Sequence, residues 1–327
     1  MSPTMKAGVA SETGLAITEI AWPQPGPEQV LVRVGAAGMN RADLNAAKGA
    51  GVASKDSYGR AIGMEWAGEV VEVGAAVTSF KPGDLVMCSG TGGYAEYAVA
   101  DAGRTLPLHN SGLSLEQAAV LPLALMTAHD AVVTHGRLTA GDTILVHGAT
   151  SAVGLAALQI AKVLRGGRIL GTSTSKTRGP RLAEFGADEV FDPSDPAWAD
   201  QVLAATAGAG ANVIIDMVSG ASINASMKAA AVRARLVNVG RLGGAKAEFD
   251  FDLHSFKRLN YIGTTFRTRS VEEVREIVRL MRNDLWDSVV TGEIRLPIDS
   301  SFALDEAVAA HEHMRNNRHF GKIVITP

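Results

Sequence analysis

Residues 143–154 read Thr143-Ile-Leu-Val-His-Gly-Ala-Thr-Ser-Ala-Val-Gly154, and this stretch decides the fold class. Thr143, Ile144, Leu145 and Val146 are strand formers, and the small residues after them make a tight turn. The turn opens onto Leu155-Ala-Ala-Leu-Gln-Ile-Ala-Lys-Val-Leu-Arg165, which is apolar at helical spacing. Strand, small-residue turn and helix in this order form the phosphate-cradling corner of a dinucleotide-binding βαβ unit. Small side chains let the main chain approach a pyrophosphate. The free N–H groups at a helix start offer it hydrogen bonds and a favourable dipole. The candidate contacts are Ala149, Ser151, Ala152, Val153 and Gly154, with Ala152 standing where the glycine fingerprint usually has its middle glycine.

The next strand narrows the nucleotide. NAD-selective sites usually carry an acidic residue about 20 residues on, bonded to the ribose 2′-hydroxyl. Here Arg168-Ile-Leu-Gly-Thr-Ser-Thr-Ser-Lys-Thr-Arg178 contains no acid and ends in hydroxyls beside two cations. Thr172, Ser173, Thr174 and Ser175 with Lys176 and Arg178 suit a 2′-phosphate. NADPH is therefore expected over NADH, with Ser173, Lys176 and Arg178 as its contacts. The plainer alternative is a solvated basic loop.

The chain has 327 residues, 46% hydrophobic and 20% charged, with a formal net charge of -3. That is an ordinary globular balance with room for about two domains. Lys and Arg (31) are outnumbered by Asp and Glu (34) and scattered, which argues against a nucleic-acid face. The opening Met1-Ser-Pro-Thr-Met-Lys-Ala-Gly-Val-Ala10 lacks the apolar core of a signal peptide. No run of about 18 apolar residues predicts a membrane span. The single cysteine, Cys88, leaves no internal disulfide and no cysteine-cluster zinc site. It follows Asp84-Leu-Val-Met87 and is read as an inert buried thiol, in keeping with a reducing, cytoplasmic setting.

The first hundred residues are short strands set off by Gly and Pro. Residues 29–34 and 69–73 alternate as half-buried strands, and Lys81-Pro-Gly-Asp84 turns into a strand at 85–87. This half reads as a β-rich, barrel-like domain. A long apolar helix is expected over 115–133. Strands follow at 143–147, 168–173, 189–191, 213–217, 234–239 and 260–266, with helices between most of them. That alternation implies an α/β fold with a doubly wound parallel sheet. A helix at 271–284, a strand at 293–298, a helix over 303–317 and a strand at 321–326 break the rhythm and are assigned back to the first domain. The expected division is residues 1–120 with 268–327, and residues 121–267.

Ala36-Ala-Gly-Met-Asn-Arg-Ala-Asp-Leu44, Gly63-Met-Glu-Trp-Ala-Gly68, Lys81-Pro-Gly-Asp84 and Gly93-Tyr-Ala-Glu-Tyr97 carry a family resemblance. So do Leu121-Pro-Leu-Ala-Leu-Met-Thr-Ala128, the turn 148–154 and Gly321-Lys-Ile-Val324. In this order and spacing the chain resembles, over essentially its whole length, the zinc-free quinone oxidoreductases of the zeta-crystallin type. These belong to the medium-chain dehydrogenase/reductase superfamily. The resemblance implies a GroES-like barrel catalytic domain split around a Rossmann domain, NADPH in the cleft, and commonly a homodimer. In the zinc-dependent relatives a cysteine stands at the place of Asn40 and a His-Glu pair at Met64-Glu65. Asn and Met do not replace a thiolate and an imidazole on zinc, so no metal is expected. His311 and His313 lie two apart on a predicted helix and His319 lies beyond it; all three are read as surface residues.

Without a metal, the chemistry left is hydride transfer from a nicotinamide to an electrophilic carbon, aided by hydrogen-bond donors. Asn40 is the first candidate, either fixing the nicotinamide or donating to a substrate carbonyl; the alternative is a turn residue bonding its own backbone. Thr127 corresponds to a family threonine at the nicotinamide end, against the alternative of a helix hydroxyl bonding back to a carbonyl. Tyr58 is a candidate donor, although a plain surface loop is favoured there, and Asp43 is read as a brace for the helix after Asn40. Strand ends supply further cofactor candidates: Val218 and Ser219, then Gly240, Arg241 and Leu242, then Phe266 and Arg267. Asn317, in the loop 316–320, is a candidate phosphate contact, Pro193 stands where relatives often place a tyrosine near the adenine, and the loop from Lys48 to Ala61 is expected to shape the pocket.

The expected activity is NADPH-dependent, metal-independent reduction of quinones or other α,β-unsaturated carbonyl compounds. Two alternatives stay open: an enoyl-thioester reductase, and a non-catalytic NADPH-binding structural or regulatory protein. Strand 260–266 is expected at the sheet edge, where it could pair with its copy.

Overall fold

The strand Ile144–His147 is fully buried and leads through a turn into the helix Ala152–Val163. The computed structural model, which describes residues 3–49 and 58–327, places this corner in the second of two units. Unit 1 is Met1–Leu123, Val271–Arg282 and Val289–Pro327; unit 2 is Ala124–Ser270 with Asn283–Ser288. No helix among the described residues is long and apolar enough to cross a membrane.

Unit 2 is built on six parallel strands ordered Glu189–Phe191, Ile169–Thr172, Ile144–His147, Ala211–Asp216, Ala230–Asn238 and Asn260–Gly263. In chain order these are the third, second, first, fourth, fifth and sixth, the doubly wound arrangement that reverses direction beside the first strand. Such sheets are covered on both faces, which is why Ile144, Leu145 and Val146 are all inaccessible. Helix Ala152–Val163 buries every residue from Gly154 to Ala161, and each of Leu155, Leu158 and Ile160 stabilises the packing by roughly 1.5–3 kcal/mol. The sixth strand lies at the edge, as expected, but ends at Gly263 rather than at 266.

The single helix expected over 115–133 does not form. Leu115–Ala119 and Pro122–His129 are separate helices, and a π-helical turn, Asp130–His135, follows the second. Pro122 lacks an N–H and disfavours helical geometry in the residue before it, so the break falls at Val120 and Leu121.

Unit 1 holds a seven-stranded sheet in which Gln29–Gly38 is central, pairing with Glu65–Val73, Tyr97–Asp101 and Lys322–Thr326. A hairpin of Thr4–Ser11 and Gly14–Ala21, not anticipated from sequence, bridges to Ala61 and Ala95. The strand expected at 293–298 is displaced to Ile298–Ala303, which pairs in parallel with Lys322–Thr326. Pro297 has no N–H to give a ladder, and the Ile298–Ala303 pattern alternates half-buried with exposed. Cys88 is buried, and burial pushes its thiol up to about 12, the inert state expected of it.

His311 corrects the surface reading. Helix Ala307–Arg315 buries Ala307, Ala310, His311 and Met314, spacings that make one stripe, while His313 on another face stays partly exposed and pairs with Asp299. His311 lies edge-on to Tyr94 at 6.0 Å, and neither of its ring nitrogens has a hydrogen-bond partner among the described residues. Burial, helped by Arg315, lowers its pKa from 6.5 to about 4. Between those values the unfolded chain binds a proton that the folded chain refuses. The contribution of His311 to stability is therefore complete above pH 6.5 and is lost as pH falls through the window. Urea unfolding at about pH 6.5 and about pH 4.5 should show the wild type losing roughly 2 kcal/mol more stability than His311→Leu. Equal losses would mean that the imidazole does not stay neutral on folding.

Candidate active site

The turn after Ile144–His147 is held by main-chain geometry. Gly148 has φ +82, and a Cβ on Gly154 would sit 2.7 Å from the Ala149 carbonyl oxygen, so only glycine allows this approach of helix to strand. Ser151 is the N-cap: its hydroxyl accepts from the Gly154 N–H at 3.1 Å and donates to the Gly148 carbonyl at 3.1 Å. Ala152 and Val153 then occupy the first helical positions, where the amides have no intrahelical acceptor. Ala152 is already helical and half-exposed, a conformation that needs no glycine.

Thr172 supports this turn from the second strand and corrects its place among the phosphate-facing hydroxyls. It is fully buried. Its Oγ1 accepts from the Gly148 N–H at 2.9 Å and shares a hydrogen bond with His147 Nδ1 at 2.8 Å. His147 is itself buried and stacked on Trp198, and burial lowers its pKa against the opposing pull of Asp216. Beyond Thr172 the loop folds on itself: Ser173 Oγ accepts from the Ser175 N–H at 3.1 Å, and Ser175 Oγ accepts from the Arg178 N–H at 3.2 Å. Lys176 is exposed and Arg178 half-buried, so the strand end presents cations on a short, hydrogen-bonded loop. Lys176 also helps hold the Asp192 carboxyl below its ordinary range, after the hydrogen bonds from Ser194.

The other strand-end candidates lie along the same rim of unit 2. Strand Ala211–Asp216 stops before Val218 and Ser219, whose N–H groups both donate to Asp216 Oδ1 at 2.9 Å. A Cβ on Gly240 would lie 2.4 Å from the Met217 carbonyl oxygen, a second approach that only glycine permits. Arg241 is exposed, and Phe266 is half-buried beneath the Arg269 guanidinium at 5.4 Å. Thr127 is the one residue from Ala124 to Asp130 that is not buried.

Unit 1 brings together a polar cluster around Asn40, the N-cap of helix Arg41–Ala46. Asn40 N–H donates to Asp43 Oδ2 at 2.8 Å, and Asp43 N–H donates to the Asn40 carbonyl at 2.9 Å, the bracing role expected of Asp43. The Asn40 side-chain amide donates to Glu65 Oε1 at 2.9 Å and, more weakly, to the Gly38 carbonyl at 3.4 Å, while its Oδ1 accepts from Lys322 Nζ at 2.8 Å. Lys322 also pairs with Glu65; both side chains are buried, and the second Glu65 oxygen accepts from the Leu123 N–H at 2.7 Å. Asp43 Oδ2 accepts from the Tyr94 hydroxyl at 2.9 Å. Burial pushes Asp43 up to about 7 and raises the Tyr94 phenol well above its usual range.

Two further candidates belong to unit 1. Tyr58 is half-buried against the core, bridges to Ala10 and leaves no room for a Cβ on Gly49, so its ring is a packing element. Asn317, at φ +53, accepts from the Arg41 guanidinium at 3.0 Å. Of the loop from Lys48 to Ala61, positions 50–57 lie outside the described residues. Sequence reasoning missed Lys322 and Glu65 as site residues. The available signal was a lone lysine heading the apolar strand Lys322–Thr326. Among the described residues no three or more His, Cys, Asp or Glu side chains are grouped to hold a metal ion.

The family described as "Alcohol dehydrogenase GroES-like domain" matches residues 26–110, and that described as "Zinc-binding dehydrogenase" matches residues 152–283. A quinone oxidoreductase of Pseudomonas aeruginosa is 33% identical over 306 residues, covering 93% of this chain and 93% of that protein. A mycocerosic acid synthase-like polyketide synthase of Mycolicibacterium smegmatis is 31% identical over 92% of this chain, which corresponds to 14% of that much longer protein. A mycobacterial structure complexed with NADPH superposes with a TM-score of 0.86 at 27% identity, covering 99% of this chain and 100% of that one. The antiparallel unit is thus a GroES-like fold and the parallel unit a Rossmann fold. The chain belongs to the quinone oxidoreductase family of the medium-chain dehydrogenase/reductase superfamily.

Proposed function

We propose that this protein is an NADPH-dependent reductase that adds hydride to quinones or other α,β-unsaturated carbonyl compounds and needs no metal. The observation that carries the reading is the turn 148–154. The close approach open only to glycine at Gly154 and the free first-turn amides of Ala152 and Val153 support its reading as a pyrophosphate cradle. We assign residues 121–267 to NADPH and residues 1–120 with 268–327 to catalysis. Ser151 orients the cradle, and Ser173, Lys176 and Arg178 take the 2′-phosphate. Thr127, Ala149, Val218, Gly240, Arg241 and Phe266 complete the dinucleotide wall. Bound NADPH would supply the hydride.

In unit 1 the residues that would replace a metal are an amide and an ammonium. Asn40 has one hydrogen on a strong bond to Glu65 and the other on the long contact to Gly38; the second is the one it can redirect to a carbonyl oxygen gaining charge. Tyr58 is assigned as a further donor and Asn317 as a phosphate contact. The resemblance to a polyketide synthase favours a second reading, reduction of an enoyl thioester.

A second copy of this chain is the proposed partner. Among the described residues the edge strand Asn260–Gly263 has one side unpaired, Tyr261 is 42% exposed, and Phe251 and Phe256 on the preceding helix, Phe251–Lys257, are 73% and 78% exposed.

Three measurements test these assignments. Mixed with NADPH and a panel of quinones, enones and enoyl thioesters, the protein should oxidise the cofactor with quinones or enones. Turnover of thioesters alone would transfer the assignment to the second reading, and tight binding without oxidation would overturn both. Lys176→Ala should weaken NADPH binding about tenfold, the scale of one lost charge-assisted hydrogen bond, with little change for NADH; equal losses would remove the 2′-phosphate assignment. Sedimentation at micromolar concentration should give a dimer, and a monomer would refute the edge pairing.

A further inference from the structure

Asp130 opens the π-helical turn Asp130–His135 and is buried beside Ala131 and Val132. One terminal nitrogen of Arg269 donates to Asp130 Oδ2 at 2.6 Å, its Nε donates to the Thr265 carbonyl at 3.0 Å, and its guanidinium carbon lies 5.4 Å over the Phe266 ring. His135 Nε2 stands 3.4 Å from the same guanidinium nitrogen and 3.6 Å from Asp130 Oδ2. A single guanidinium thus joins two segments of unit 2: the helix bearing Thr127, three residues before Asp130, and the turn bearing Phe266.

This pair is a poor device for stability alone. Removing a carboxylate and a guanidinium from water costs about as much as their attraction returns, and apolar side chains of similar volume would pack as well. The π-turn likewise departs from regular helix geometry, a departure frequent at functional sites. What the pair does provide is a defined geometry, because the planar fork fixes direction as well as distance.

The strand order says which end of the dinucleotide this geometry would serve. The 2′-phosphate loop follows the second strand and the pyrophosphate turn follows the first, so the other nucleoside extends over the fourth, fifth and sixth strands. Phe266 follows the sixth.

We propose that Arg269 is a positioning residue for the nicotinamide end, holding Thr127 and Phe266 in one preformed arrangement through Asp130 and Thr265. The proposal rests on the NADPH reading above. Arg269→Gln frees the Phe266 turn without touching the 2′-phosphate loop. Lys at this position restores a charge beside Asp130 but not the fork.

The test compares two ligands by calorimetry on the full chain: NADPH, and 2′,5′-ADP, which carries only the adenosine side. Arg269→Gln should weaken NADPH about tenfold, as expected for loss of a charge-assisted anchor, and leave 2′,5′-ADP within about twofold. Arg269→Lys should fall between variant and wild type for NADPH. If Arg269→Gln does not fold, the double variant Asp130→Asn/Arg269→Gln, which leaves no lone buried charge, carries the same expectation. Equal weakening of both ligands, or of neither, overturns the proposal. Wild-type protein that binds 2′,5′-ADP and NADPH equally weakly would remove the cofactor reading first, and the positioning role with it.

Discussion

The approach of Gly154 to Ala149 is the constraint on which unit 2 depends. A methyl group there would lie within 2.7 Å of a carbonyl oxygen and within 2.8 Å of two more backbone atoms, all on the strand-to-helix turn, where nothing flexible can give way. The helix start is pressed onto the turn, and the first-turn amides of Ala152 and Val153 have no acceptor within the helix. Ser151 and Thr172 then fix what backbone geometry leaves free, one capping the helix and the other holding the Gly148 N–H. The rim formed by Val218 and Gly240 depends on Asp216 in the same way, through two amides that it gathers at 2.9 Å.

Unit 1 solves a different problem, the burial of a carboxylate. Glu65 is buried in the sheet, and a buried carboxylate without partners would cost several kcal/mol. Lys322, Asn40 and the Leu123 N–H satisfy it, and Gly38 keeps open the space its oxygen occupies, since a Cβ there would lie 2.7 Å away. The Glu65 carboxylate is balanced by an ammonium from the last strand. That arrangement also restrains Asn40, whose amide is oriented from both ends, so any contact it makes with a ligand starts from one defined rotamer.

What could be read from sequence was local. The strand, turn and helix at 143–163, the rhythm of six strands and the capping role of Asp43 rest on residues within a few positions of each other. Where reading failed, a more distant or competing interaction decided the outcome. Thr172 looked like one hydroxyl among four in a polar run, yet the parallel register carries it under Gly148, 24 residues away. His311 looked like a surface histidine because its polarity outweighed its spacing; the spacing from Ala307 to Met314 was the better guide. The apolar run around Pro122 favours a continuous helix, but a missing N–H and a steric clash outweigh hydrophobicity in ending one.

The charged pairs are the least legible features for the same reason. Glu65 and Lys322 are 257 residues apart, and Asp130 and Arg269 are 139 apart. No periodicity connects such positions, and each residue alone has an ordinary surface reading. Their burial follows only once two sheet registers and a π-turn are in place. A lysine at the head of an apolar strand and an aspartate inside an apolar helix are anomalies in sequence, and each anomaly requires a partner of opposite charge or a large desolvation penalty. The sites that a chain of this kind hides are therefore found by asking what each misplaced charge must be paired with, and the answer comes from topology.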